Sequence, residues 1–155
     1  MVSAFETIAT ENARIRIATP SDAPFIAAIE NDAELKRFIG GVSGRSEASY
    51  CTVLKTVSDL RLLVVETPTG LPIGFCGLLT GHLSVDCEVR VILQKDYWGR
   101  GLGTEIATAL KALAAKTYPD KQLTVKVHPD NIASRYETRP YRSWHYRRWR
   151  LRWVD

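Results

Sequence analysis

The residue types and spacing best suited to chemistry lie in Tyr97-Trp98-Gly99-Arg100-Gly101-Leu102-Gly103-Thr104-Glu105. Three glycines at alternate positions leave no side chains over the point where a helix would begin. Backbone N–H groups can therefore converge on an anion, and the positive end of the helix dipole lies at the same point. A pyrophosphate-bearing cofactor is the natural ligand. A Gly-x-Gly-x-Gly turn alone is weak evidence, because dinucleotide-binding turns and many structural turns share it. Here it follows several strands in the middle of the chain, whereas a Rossmann fingerprint follows the first strand of its unit. No Gly-Lys-Ser/Thr follows it, which excludes a P-loop.

Other reactive side chains are sparse. Asp86 and Glu88 are carboxylates on the apolar segment that leads into the turn. His82, His128 and His145 are isolated, and no Cys/His cluster exists, so no metal is expected. Cys51, Cys76 and Cys87 are odd in number and lack CxxC spacing. They read as small buried thiols in a reducing compartment, with the cytoplasm as default. Cys87 beside Glu88 could suggest covalent chemistry, but alternation along a strand favours a buried structural thiol.

The elements that must position these residues can be read from periodicity. Arg14–Ala18 alternates as a strand. Ser21 is the expected N-cap of a helix whose apolar face is Phe25, Ile26 and Ile29. Leu35, Phe38 and Ile39 predict a second short helix ending at Gly40-Gly41, and Ser46–Leu60 predicts another. Strands are expected at Leu62–Val65, Ile73–Leu79 and Val85–Leu93, with turn chemistry at Pro68-Thr-Gly70. A long helix follows the glycine turn from about Thr104 to Lys116. Leu123–Val127 is a further strand, and after His128-Pro-Asp-Asn131 a helix should start near Ile132. This order indicates an α/β sheet that is antiparallel first and mixed later.

Composition supports one globular unit. The 155 residues are 45% apolar and 25% charged, and no apolar run approaches the length of a membrane span. The N-terminus lacks the regions of a signal peptide. The net charge of +4 is unevenly placed: residues 135–155 carry seven Arg against one Glu and one Asp, so the rest of the chain is close to neutral. The body thus offers no charge argument for nucleic acid.

Element order and motifs together resemble the GNAT acetyltransferase superfamily over roughly residues 14 to 134. Glu88–Glu105 is similar to that family's acetyl-CoA motif, and Val127-His-Pro-Asp-Asn-Ile-Ala-Ser134 to its second motif. Tyr97-Trp-Gly-Arg-Gly with Asn131-x-x-Ser134 most resembles the branch that acetylates N-termini of ribosomal proteins. The resemblance implies a mostly antiparallel mixed sheet flanked by helices. It also implies an acetyl-CoA-dependent N-acetyltransferase acting by direct attack of a primary amine, on a peptide N-terminus or a small molecule.

The same resemblance assigns roles. Backbone groups of Val91, Ile92 and Leu93 would pair with the pantetheine arm. N–H groups of Trp98, Gly99, Arg100, Gly101, Leu102, Gly103 and Thr104 would hold the pyrophosphate, with Arg100 also touching phosphate. Trp98 departs from the Gln or Arg common at its place. Asn131 would bond the pantetheine, although a turn and N-cap role suits it equally. Glu88 would act as general base, with Asp86 as runner-up and a partner for Arg90 as the plainer role. Ser134 would protonate or orient the departing thiolate, or simply be a helix-start serine.

The segment 135–155 departs from the family pattern and is read as an atypical Arg/Trp/Tyr-rich terminus following a domain at 1–134. It holds three of the four Trp, and Leu151 and Val154 are its only aliphatic residues. One reading is an arm for RNA, with Arg on phosphate and aromatics on bases. A second is an amphipathic strand, because Trp144, Tyr146 and Trp149 interleave with Arg. The third, and preferred, is a change of reading frame, since a TGG codon read one base later begins GG and encodes Gly. On that reading the sheet is expected to lack its usual last strands, leaving an open edge that invites a homodimer. A CoA-binding protein of weak or no activity is then the alternative function.

Overall fold

The computed structural model describes residues 5–37, 39–127, 138–141 and 147–151, with side chains as far as Val125. Strand β1 (Ile8–Ala9) pairs with β2 (Arg14–Ile17), which pairs with β3 (Leu63–Glu66). Next come β4 (Pro72–Leu79) and β5 (Asp86–Leu93), and every neighbouring pair from β1 to β5 is antiparallel. β6 (Gln122–Val127) then joins β5 in parallel. The sheet is thus antiparallel first and mixed later, as the periodicity predicts.

Two helices precede β3: α1 (Ala23–Glu30) and α2 (Glu47–Thr56). They cover one face of the sheet, where Ile26, Ile29, Tyr50 and Leu54 pack on Val64, Phe75 and Ile92. The long helix α3 (Leu102–Thr117) covers the other, where Leu102, Ile106, Leu110 and Ala114 meet Val65, Cys76, Cys87 and Val89. The alternation of β5 decides this division. Cys87, Val89 and Leu93 point to α3, while Glu88, Arg90 and Ile92 share the α1/α2 face.

Several local expectations are corrected. The first helix is not capped by Ser21. Thr19 opens a 3-10 turn at Pro20–Asp22, and the Asp22 carboxylate accepts the Thr19 N–H at 2.8 Å. Asp22 holds the N-cap place of α1 without a side-chain bond to that helix, and its two oxygens take both terminal nitrogens of Arg16 at 2.8 Å. Ser46 does cap α2, accepting the Ser49 N–H at 3.2 Å, but that helix ends at Thr56. No second short helix forms around Leu35 and Ile39. That stretch is a series of turns, held by Lys36, whose ammonium is buried against Glu30 at 3.2 Å. Phe38, and the helix expected near Ile132, lie outside the described residues.

The largest correction concerns the terminus. The sheet does not lack its last strands among the described residues: β7 (Thr138–Tyr141) and β8 (Arg147–Leu151) extend it in the order β1-β2-β3-β4-β5-β6-β8-β7. β8 lies antiparallel on β6, from Thr124 opposite Arg150 to Val127 opposite Arg147. Aliphatic spacing gave no helix or core signal here. In β8 Trp149 stands between Arg148 and Arg150, as the amphipathic-strand reading of this segment has it, and β6 offers it an unpaired row of backbone groups.

Candidate functional site

The site is built where β5 and β6 part. Their parallel pairing runs from Asp86 opposite Gln122 to Glu88 opposite Thr124, yet β5 continues to Leu93 and β6 continues to Val127. β8 lies on the other edge of β6, from Thr124 to Val127, and leaves the β5 side of Val125–Val127 uncovered. The stretch Val89–Leu93 is therefore bound to β4 on one side and opens on the other. Which groups face the opening follows from one bond. The Gln94 N–H donates to the Ile73 carbonyl at 2.9 Å, so Gln94 faces β4. With two-residue alternation Ile92 faces β4 as well, and the Val89 N–H is taken up by the last bridge to β6, which leaves Val91 and Leu93 to present backbone groups to the opening. Of the three residues expected to pair with an extended ligand, Val91 and Leu93 are thus the ones presented, and Ile92 is committed to the ladder. The approach of β4 at this point is close: a Cβ on Gly74 would lie 2.2 Å from the Ile92 carbonyl.

The glycine turn sits at the end of this open edge. Gly99 and Gly101 have φ of +71° and +76°, a region that L side chains rarely adopt, and they flank Arg100. Gly101 is the N-cap of α3, and the first intrahelical bond is from the Glu105 N–H to the Gly101 carbonyl at 3.1 Å. The N–H groups of Leu102, Gly103 and Thr104 lie ahead of that bond and point out of the helix end. A Cβ built at Gly99, Gly101 or Gly103 meets nothing within 4 Å, so the space over the turn is open. That open cradle of donors, at the positive end of a 16-residue helix, fits a pyrophosphate.

Trp98 contributes differently from the glycines. Its backbone N–H donates to the Lys95 carbonyl at 3.0 Å. Its indole Nε1–H reaches back to the Leu93 carbonyl at 2.8 Å. Arg100 is exposed, with its guanidinium 5.3 Å from the Tyr97 ring centroid. The start of α3 is tied down by Glu105, whose carboxylate accepts the backbone N–H of Asn12 at 2.7 Å and its side-chain amide at 3.0 Å. Hydrogen bonds from Thr10 and then Asn12 hold the Glu105 carboxyl below its usual range.

Glu88 is half-buried on the face away from α3, at the last paired position before the strands part. Asp86 shares that face but lies two residues, roughly 7 Å, farther from the turn. Its carbonyl accepts the hydroxyls of Thr80 and Ser84 at 2.9 and 3.1 Å. Cys87 is fully buried against α3, and burial pushes its thiol up, which makes it inert packing. Cys76 is buried and shifted upward for the same reason, and Cys51 is half-buried; all three thiols are free. Asn131 and Ser134 lie outside the described residues. Among the described residues no group of His, Cys, Asp and Glu could hold a metal. No helix among them is long and apolar enough to cross a membrane.

Sequence reasoning missed the segment that faces the opening from the α1 side. Glu34 carries a 2.6 Å ion pair to Lys95, just before the glycine turn, and so places the 31–45 segment beside the cradle. Glu30, Lys36, Tyr50 and Ser43 hold that segment from within: the Tyr50 hydroxyl lies 2.7 Å from the Ser43 hydroxyl and 3.4 Å from Glu30. A lysine at position 36 that is only 5% exposed gives no sign of itself in periodicity.

The family model described as the acetyltransferase (GNAT) domain matches residues 12–136. No curated protein matches the sequence. Among solved structures, an acetyltransferase from Agrobacterium tumefaciens is similar at a TM-score of 0.75 and 22% identity, covering 98% of this chain and 97% of that one. Spermidine N-acetyltransferase from Vibrio cholerae, in complex with CoA and spermine, gives 0.74 at 13% identity, with 92% and 95% covered. The Salmonella typhimurium enzyme that modifies the N-terminal serine of the 50S subunit protein L7/L12 gives 0.68 at 15% identity, with 97% and 100% covered. At these identities the structural likeness speaks for the fold alone.

Proposed function

The chain belongs to the GNAT acetyltransferase family, and from that premise we propose that it acetylates a primary amine, on a peptide N-terminus or a small molecule, by direct attack on acetyl-CoA. The observation that carries this reading is the parting of β5 and β6 beside a helix start cleared of side chains. An extended amide-bearing arm can lie along Val91 and Leu93, and its pyrophosphate can rest on the N–H groups from Gly99 to Thr104. When bound, acetyl-CoA supplies the activated acetyl group as a thioester.

The protein's own contributions follow from position. The backbone edge of β5 orients the arm, and α3 with the apolar residues behind it excludes water from one side. Glu88 lies on the opposite face, where an amine approaching past the 31–45 segment would arrive. Its carboxylate takes the amine proton, directly or through water, so that a neutral nitrogen attacks. Asn131 bonds the pantetheine and Ser134 donates toward the departing thiolate, as the resemblance implies. A cytoplasmic location is part of this reading, since three unpaired thiols suit a reducing compartment. A homodimer would form at the β7 edge, because β8 already covers β6.

The test is transfer itself. The whole chain is incubated with acetyl-CoA and either a peptide with a free N-terminal amine or spermidine. Acetylated product is read by mass spectrometry and released CoA thiol by colorimetry. Product and thiol in equal amounts support the reading. Binding of acetyl-CoA without product on a broad amine panel would instead support a CoA-binding protein, and no binding at all would overturn both.

A further inference from the structure

The polar atom of the Trp98 indole is aimed at the open edge of β5. Its Nε1–H donates to the Leu93 carbonyl at 2.8 Å, while about half of the residue remains exposed. Leu93 faces the opening by the alternation that the Gln94–Ile73 bond fixes. An extended ligand adding to this edge would compete for that carbonyl, because it is the last acceptor before the chain turns away at Lys95–Tyr97. The indole already occupies it. Indole is a donor only, so the bond cannot be reversed to serve as an acceptor for the ligand.

Trp98 also joins two parts of the site. Its backbone N–H is bonded to the Lys95 carbonyl at 3.0 Å and it precedes Gly99, the start of the anion cradle. Its side chain ends on the final residue of the strand. One residue therefore ties the cradle to the pairing edge across the intervening turn.

We infer that Trp98 is a positioning residue that sets the register of the cofactor's amide-bearing arm relative to its pyrophosphate. By capping the Leu93 carbonyl it ends the usable edge there and leaves the Leu93 N–H and the Val91 N–H and C=O as the first pairing groups. This holds the thioester end at a fixed distance from the cradle. The inference rests on the acetyl-CoA reading above and adds a role that the glycine turn alone does not give.

The experiment separates the arm from the phosphates. Calorimetry on the full chain compares CoA with adenosine 3′-phosphate 5′-diphosphate, which is CoA without its pantetheine. Wild type, Trp98→Phe and Trp98→Gln are used; Phe keeps an aromatic ring without the N–H, and Gln restores a donor of similar reach. Trp98→Phe is expected to weaken CoA by about two- to tenfold, the worth of one hydrogen bond. The truncated nucleotide should bind it within twofold of wild type, and Trp98→Gln should recover most of the CoA affinity. Thermal unfolding checks that each variant is folded. Equal weakening of both ligands would overturn the inference, because Trp98 would then act on the cradle or on folding. Unchanged or tighter CoA binding by Trp98→Phe would overturn it too. Failure of the wild type to bind either ligand would instead sink the cofactor reading itself, and the inference with it.

Discussion

Replacing Gly101 by Asp and by Asn separates charge from shape at the anion cradle. Gly101 has φ +76° and ψ 3°, and a Cβ there meets nothing within 4 Å. The substitution is therefore not a packing defect. It places an L residue in the left-handed region at a cost of about 1–2 kcal/mol, least for Asn and Asp. Both residues are also good N-caps, and Asp gains from the helix dipole, so part of that cost is offset. Each variant should stay folded, with an unfolding midpoint within a few degrees of wild type. Binding is another matter. Asp and Asn have nearly the same shape, so the difference between them is one negative charge about 4 Å from the proposed pyrophosphate. One such pair of like charges repels by about 1 kcal/mol in bulk water and about 4 kcal/mol near a protein surface. CoA affinity measured by calorimetry should thus be at least about fivefold weaker for Gly101→Asp than for Gly101→Asn, and the gap should shrink as salt is raised. Equal affinities at low salt for the two variants would refute the reasoning.

Three further outcomes are expected. Glu88→Gln should lower kcat by about 10²- to 10⁴-fold, the range for loss of a general base, while calorimetry gives CoA binding within twofold of wild type. Asp22→Asn should destabilise the fold by about 1–3 kcal/mol in denaturant titration, since Arg16 loses a two-oxygen carboxylate partner and keeps Glu66 at 3.0 Å and the Ile17 carbonyl at 3.2 Å. Burial alone would raise the Asp22 carboxyl, but the Arg16 guanidinium and the Thr19 N–H outweigh it and hold the carboxyl below 3.8. Its contribution is therefore complete above about pH 4 and lost as pH falls through the lowered value, so the variant's stability should fall less steeply in acid. Lys95→Gln should leave the unfolding midpoint unchanged, because both partners of the Glu34 pair are more than half exposed, at 61% and 56%.

How much of this was legible depended on whether the signal was local. The strands from β2 to β6 and helix α3 follow from alternation and helical spacing, and the glycine turn before α3 was legible from its three glycines. The helix expected from Ser46 starts where the spacing put it, with Ser46 as its cap. Ser21 was misread, because the preference for Asp22 comes from Arg16 on a neighbouring strand. The turns around Leu35 and Ile39 were hidden for a related reason. A lysine buried on Glu30, with Tyr50 and Ser43 close by, overrides the local helical pattern. At the terminus the absence of aliphatic spacing put an amphipathic strand behind a change of reading frame, although strands form there at Thr138–Tyr141 and Arg147–Leu151. Within the site, the family resemblance implied Val91, Ile92 and Leu93 as a block. Only the ladder to β4 shows that Ile92 faces away from the opening. The Trp98–Leu93 bond spans five residues and belongs to no motif of spacing.

The measurement that tests the central claim most directly is a crystal structure of the full chain with CoA. The account predicts the pyrophosphate oxygens within hydrogen-bond distance of the N–H groups from Gly99 to Thr104, and the pantetheine extended along Val91 and Leu93 between β5 and β6. The indole of Trp98 should still be bonded to Leu93. CoA bound elsewhere, or a pantetheine that leaves the β5 edge unpaired, would contradict the account.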